Sequence, residues 1–155
     1  MRGFVSLFIN GTPHELRGAD AFLSLAEFLR QRLALTGTKV VCAEGDCGSC
    51  TVLCGRPRGD RFEYLPIDSC IQFMFQLDGC HIVTVEGLSQ NGSLTPVQRA
   101  MVDCHGAQCG FCTPGFVVAM TALAEAKQQE PIDWQHGLCL LYTSDAADEH
   151  RDGAG

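Results

Sequence analysis

The chain has 155 residues, 46% of them hydrophobic, and a formal net charge of −7. That is enough length and apolar content for one domain or two small ones around a buried core, and mild acidity without a basic stripe argues against a nucleic-acid partner. Ten cysteines with no secretion signal point to metal ligands rather than disulfides. The apolar stretch within Met1–Asn10 is too short for a signal peptide and lacks a small-residue cleavage site. No apolar run reaches membrane-spanning length. The expectation is a cytoplasmic protein with no membrane partner.

In chain order, Val5 to Ile9 reads as a strand, and Asn10-Gly11 as a type I′ hairpin turn, which needs positive φ at both central residues. Thr12 to Leu16 returns as a second strand, in which Pro13 suits only an edge or the strand's start. Ser24 is an N-cap for a helix over Leu25 to Leu35, with Leu25, Phe28, Leu29 and Leu33 on its apolar face. Thr36 to Cys50 is a Gly- and Cys-rich loop. Thr51 to Leu53 and Arg61 to Leu65 read as strands around a polar turn containing Gly55, Pro57 and Gly59. Ser69 starts a short helix carrying Cys70, and His81 to Val85 is a last strand.

The pattern then becomes helical. Thr95-Pro96-Val97-Gln98 is a capping box with proline at the first helical position, opening a helix to about Cys104. Thr113-Pro114 repeats the signal for a helix to about Gln128, and Pro131 or Ile132 opens a third. A strand-rich part, 1–87, is therefore joined by the polar link Ser89-Gln90-Asn91-Gly92-Ser93 to a helical part, 88–138.

The cysteine spacing carries the chemistry. Cys42, Cys47 and Cys50 form C-x4-C-x2-C with Cys70 downstream, the plant-type spacing for a [2Fe–2S] cluster. Gly45 and Gly48 let the backbone approach a cluster and turn N–H groups toward its sulfurs. Zinc knuckles favour paired C-x2-C units instead, so a zinc-stabilised binding module is the alternative from another class. Cys109-Gly-Phe-Cys112 is a less specific C-x2-C pair. Cys54, Cys80 and Cys104 are read as packing residues.

Three stretches together resemble the iron–sulfur part of the molybdenum hydroxylases, the xanthine dehydrogenase family. They are Gly37-Thr-Lys39 leading to Cys42-Ala-Glu-Gly-Asp-Cys47-Gly-Ser-Cys50-Thr-Val52, then Asp68-Ser-Cys70, then Thr95-Pro-Val-Gln98 with His105-Gly-Ala-Gln-Cys109-Gly-Phe-Cys112-Thr-Pro-Gly115. The resemblance implies an α+β fold, in which a β-grasp ferredoxin-like domain is followed by a small helical-bundle domain, each holding one [2Fe–2S] cluster. It implies electron transfer from a molybdenum–pterin centre, through both clusters, to FAD. The helical-domain cluster would lie nearer molybdenum, and Gln108 matches a residue that contacts the pterin. The implied partners are a molybdenum-binding large subunit and an FAD-binding domain or subunit. The long hairpin between Cys50 and Cys70 and the phrase Met101 to Gly115 tilt the resemblance toward xanthine dehydrogenase. The alternative within the family is a stand-alone iron–sulfur subunit acting with a carbon monoxide, aldehyde or N-heterocycle hydroxylase.

The family's helical domain continues into a C-x-C pair that this sequence lacks. Residues 139–155 instead resemble translated sequencing adapter and are read as a non-native tail. Cys139 is either the first cysteine of that missing pair or lies a few residues upstream of it. The second is favoured, because Pro131 to Cys139 is short for the usual connecting helix. With Cys109, Cys112 and Cys139 as at most three ligands, the second site is expected to be incomplete.

Overall fold

A computed structural model describes residues 3–89 and 92–126. Among the described residues, five strands, numbered β1 to β5 in chain order, form one mixed sheet in which the spatial order is second, first, fifth, third, fourth. Strands β1 (Val5–Ile9) and β2 (Thr12–Leu16) make the expected hairpin, with φ of 49° at Asn10 and 80° at Gly11. Strand β5 (His81–Val83) runs parallel to β1 and antiparallel to β3 (Thr51–Arg58), which pairs with β4 (Arg61–Asp68). Pro13 lies on the edge strand β2, as expected.

The second hairpin is longer than expected. Gly55 and Pro57 fall inside β3, and the turn is only Gly59-Asp60. Strand β5 pairs only with Leu53–Gly55, so proline at position 57 removes no bond to it. A Gly55 side chain would meet the Tyr64 ring, which lies across that glycine from β4. Two other expectations are corrected. The helix from Ser24 is short: α1 (Leu25–Glu27) widens into one π turn over Phe28–Arg32, and Ala34 then turns left-handed with φ 55°. No helix carries Cys70, which lies in a turn, and a short 3₁₀ turn follows at Met74–Leu77. The strand expected to reach Val85 ends at Val83, because Thr84 leaves the sheet to bond Asn10.

The capping boxes form as read. The Ser24 hydroxyl accepts from the Glu27 N–H, and Glu27 accepts from the Ser24 N–H. That bond and the Ser24 hydroxyl hold the Glu27 carboxyl below its usual range. Thr95 and Gln98 make the same reciprocal pair at the start of α2 (Pro96–Asp103). Helix α3 spans Thr113–Ala126. The expected third helix lies outside the described residues.

Alternation along β3 builds two cores. Val52 and Cys54 point into one with Leu7, Ile9, Leu25, Leu29, Met74 and Ile82. Leu53 points into the other with Val97, Met101, Val117 and Val118 of α2 and α3. The sheet is thus covered by α1 on one face and by the helical part on the other. This is the expected α+β arrangement of a strand-rich part and a helical part. Among the described residues, no helix is long and apolar enough to cross a membrane.

One polar cluster ties the sheet together beyond its ladder. The Gly11 N–H donates to His81 Nε2 at 3.2 Å, so the neutral ring carries its proton on Nδ1, which faces the Tyr64 hydroxyl at 2.6 Å. Burial holds the imidazole below its ordinary value, while burial and the charge of Glu125 push the Tyr64 hydroxyl up.

Two measurements check this packing. Leu53→Ala should destabilise the chain by about 2–5 kcal/mol, whereas Leu65→Ala on the open side of β4 should stay within about 0.5 kcal/mol, both read from urea midpoints. His81 binds fewer protons folded than unfolded, so its contribution is full above the ordinary value of 6.5 and declines as pH falls below it. A His81→Gln variant should therefore show a shallower loss of stability on acidification; an identical slope would remove His81 as the cause.

Candidate metal centre

The loop from Thr36 to Cys50 is pinned from outside before it supplies any ligand. Arg30 Nη1 donates to the Thr36 and Thr38 carbonyls at 3.0 and 2.8 Å. The Gly37 N–H donates to Glu86 at 2.7 Å, and Glu86 also accepts from the Thr84 hydroxyl. At the far end, the buried Ser69 hydroxyl donates to the Cys50 carbonyl at 2.7 Å, while the Ser69 carbonyl accepts from Ala26 of α1. Cys50 and Cys70 are thereby fixed to one another through a side chain between them.

Within the loop, positive φ at Ala43 (59°), Gly45 (76°) and Gly48 (69°) curls the backbone. Positive φ is strained for Ala43, which has a β-carbon, and such strain persists where the surroundings over-determine the backbone. The curl aims N–H groups inward. Glu44, then Cys47 and Asp46, donate backbone N–H bonds to the Cys42 sulfur, and with the Cys47 thiol they pull Cys42 down to about 6. Cys70 is pushed up to about 11 by burial and then by its bond to Cys50, against the Gly45 N–H that donates to its sulfur.

The Cys47 thiol donates to the Ser49 hydroxyl at 3.5 Å and the Cys50 thiol to Asp68 at 3.9 Å, and the charge of Cys42 is felt at Cys70. Among the described residues, no three His, Cys, Asp or Glu side chains are grouped to hold a single ion. A structural zinc gathers four donors at one ion. Cys42, Cys47, Cys50 and Cys70 would be the residues to hold a [2Fe–2S] cluster, which would supply one-electron storage there. Cys50 is buried, Cys42 and Cys70 are half-buried, and Cys47 is exposed.

Cys109 and Cys112 are exposed on the loop between α2 and α3, with Gln108 exposed beside them. The Cys112 carbonyl accepts the Phe116 N–H at 3.0 Å, so the pair leads straight into the first turn of α3. Cys139 lies outside the described residues. Cys54 and Cys80 are free thiols buried in the sheet core, where the Cys54 side chain and burial push the Cys80 thiol up. They stand with the packing residues, apart from the quartet.

Sequence reasoning gave no role to four residues that shape the site. Arg30, Glu86 and Ser69 act through hydrogen bonds 6 to 49 residues distant in the chain, which no local pattern announces. Gly115 packs on the first cysteine loop, and the sequence singles it out only as the last residue of the Cys112-Thr-Pro-Gly115 stretch that carries the family resemblance.

Comparison with known proteins bears on this geometry. Residues 7–69 match the family described as "2Fe-2S iron-sulfur cluster binding domain", and residues 84–140 the "[2Fe-2S] binding domain" family. The chain is 38% identical over 136 residues to xanthine dehydrogenase of Oryza sativa subsp. japonica, covering 86% of this chain and 10% of that protein. Its structure resembles a chain of quinoline 2-oxidoreductase from Pseudomonas putida 86, with TM-score 0.68, 33% identity, and coverage of 90% of this chain and 80% of that one. It also resembles aldehyde oxidoreductase from Desulfovibrio gigas, with TM-score 0.69 and 35% identity, covering 88% of this chain and 15% of that one. The chain thus spans about a tenth of the length of the curated relative it matches. The two family matches take in both cysteine loops, and with the 33% identity to a chain covered over 80% of its length they place this chain among the [2Fe–2S] iron–sulfur parts of the molybdenum hydroxylase family.

Proposed function

We propose that this chain relays electrons through [2Fe–2S] clusters between a molybdenum–pterin centre and FAD, both carried on partner domains or subunits in the cytoplasm. The observation that supports this best is the first cysteine loop: positive φ at Ala43, Gly45 and Gly48 curls the backbone between Cys42, Cys47 and Cys50, and Ser69 ties Cys50 to the turn that carries Cys70. Cys42, Cys47, Cys50 and Cys70 are the ligands of the first cluster. Cys109 and Cys112 belong to the second, with Cys139 as a further candidate, and Gln108 is the residue directed toward the pterin. The first unit is taken as 1–87 and the second as 88–138.

A bound [2Fe–2S] cluster supplies one-electron storage. What this chain adds is charge compensation and placement. The N–H groups of Glu44, Asp46 and Cys47 at the Cys42 sulfur, and of Gly45 at the Cys70 sulfur, stabilise negative charge on the ligands and raise the reduction potential above that of an unbonded thiolate set. Buried Cys50 and its Ser69 tether exclude water from one side, while exposed Cys47 leaves the other open to a partner.

Iron and acid-labile sulfide analysis with EPR of the reduced protein tests the reading. The first site should bring about two irons and two sulfides and a rhombic signal once reduced. Cys47→Ser should abolish that signal, whereas Cys54→Ser should leave it. A colourless protein holding zinc would reject the proposal, and signal loss in Cys54→Ser would show that the ligand set is wrong.

A further inference from the structure

Ile71, the residue after Cys70, is 48% exposed and belongs to neither core. A single exposed isoleucine is common on protein surfaces. What sets this one apart is where its side chain lies. A β-carbon on Gly45 would stand 2.6 Å from Ile71 Cδ1, 3.3 Å from Cγ1 and 3.4 Å from Cγ2. The isoleucine thus fills the space that a side chain at position 45 would take. Gly45 is half-buried, while Glu44 and Asp46 on either side of it are exposed.

The cover is held in place by backbone. The turn that carries Cys70 and Ile71 is fastened to α1 at two points. The Ala26 N–H donates to the Ser69 carbonyl at 3.0 Å, and the Leu25 N–H to the Gln72 carbonyl at 2.7 Å. The Ile71 N–H donates to the Asp68 carbonyl at 3.4 Å, and the Ser69 hydroxyl donates to the Cys50 carbonyl. Two consecutive residues therefore grip Gly45. The Cys70 sulfur accepts its N–H, and the Ile71 side chain lies against its α-carbon. The φ of 76° at Gly45 suits glycine, which leaves the space open for Ile71.

Reduction of a [2Fe–2S] site adds one negative charge. Water near the sulfurs stabilises that charge and raises the potential, and an apolar cover does the opposite. We propose that Ile71 is a positioning residue for the first cysteine site, its side chain shielding the Gly45 backbone beside the Cys70 sulfur from water and thereby holding the reduction potential of that site down. The inference rests on the electron-relay reading above and adds what sets how readily the first site accepts an electron. The backbone N–H groups raise the potential and the Ile71 cover lowers it. Because α1 holds the turn, loss of the side chain opens the cover and leaves the turn's backbone in place.

The test uses the full chain with its first site loaded, as wild type, Ile71→Ser, Ile71→Leu and Leu65→Ser. Iron and sulfide content are measured first. The midpoint potential is then read by EPR at poised potentials, and water access by the deuterium modulation of the reduced signal after transfer to D2O. Ile71→Ser should load, shift the midpoint to a more positive value and deepen the modulation. Ile71→Leu keeps the four side-chain carbons and should match wild type in both. Leu65→Ser opens an exposed aliphatic position on β4 and should change neither. If Ile71→Ser fails to load, Ile71→Ala decides by the same two readings. In a loaded Ser or Ala variant, a midpoint that stays or falls, or a modulation that keeps its wild-type depth, overturns the inference while leaving the relay intact. A wild-type chain that takes up no iron and sulfide defeats the relay reading and the inference with it.

Discussion

Thiolates brought close together repel one another, as the charge of Cys42 is felt at Cys70, and the shape of the first cysteine loop is an answer to that repulsion. Its backbone N–H groups have no strand or helix to bond, so they need acceptors from elsewhere. Positive φ at Ala43, Gly45 and Gly48 turns them inward, and the sulfurs of Cys42 and Cys70 become those acceptors. The loop satisfies its backbone through the ligands, and the ligands hold charge because of the loop. Neither half of the bargain would hold its form alone, which is why the loop is tethered at Thr36–Thr38 by Arg30 and Glu86 and at Cys50 by Ser69.

Those tethers lead back to strand β3. Cys50 is followed at once by the strand whose residues alternate between two apolar cores, Val52 and Cys54 into one and Leu53 into the other. A strand packed on both faces cannot slip by one residue without exchanging its entire set of buried side chains. The last cysteine of the loop, Cys50, therefore inherits the register of the most constrained element among the described residues. A site mounted on such an element is held more tightly than one carried by a free loop. The His81–Tyr64 pair adds to this by joining β4 and β5 to the β1–β2 turn through Gly11.

What could be read from the chain was what is local. Asn10-Gly11 states its turn in two residues, and Ser24 with Glu27 and Thr95 with Gln98 state their caps in four. The C-x4-C-x2-C spacing is local for the same reason: three ligands share one loop. The misreadings have the opposite character. Gly55 and Pro57 look like turn residues, yet the Tyr64 ring covers the first and the second faces no β5 partner. The helix after Ser24 has a good apolar face as far as Leu35, but the chain must turn left-handed at Ala34 to enter the cysteine loop, so tertiary demand overrides helix pattern. Cys70 sits in a turn because Ser69 is committed to the Cys50 carbonyl and to α1, and no periodicity encodes that bond.

The two cysteine sites differ in what holds them, and the difference orders the rest of the molecule. The first is set by tethers to the sheet, to α1 and to Glu86 beyond β5. The pair Cys109 and Cys112 is exposed on a loop that leaves α2 through His105, a non-glycine residue with φ 52°, and ends at the first turn of α3. What fixes α3 is the burial of Val117 and Val118 against Leu53, not the cysteines ahead of it. The helix is consequently placed by apolar packing on β3, and the approach of its Gly115 to the Gly48 carbonyl follows from that packing. The geometry between the sites is thus a property of the sheet and its second core, present in the fold independently of what the Cys109–Cys112 loop holds.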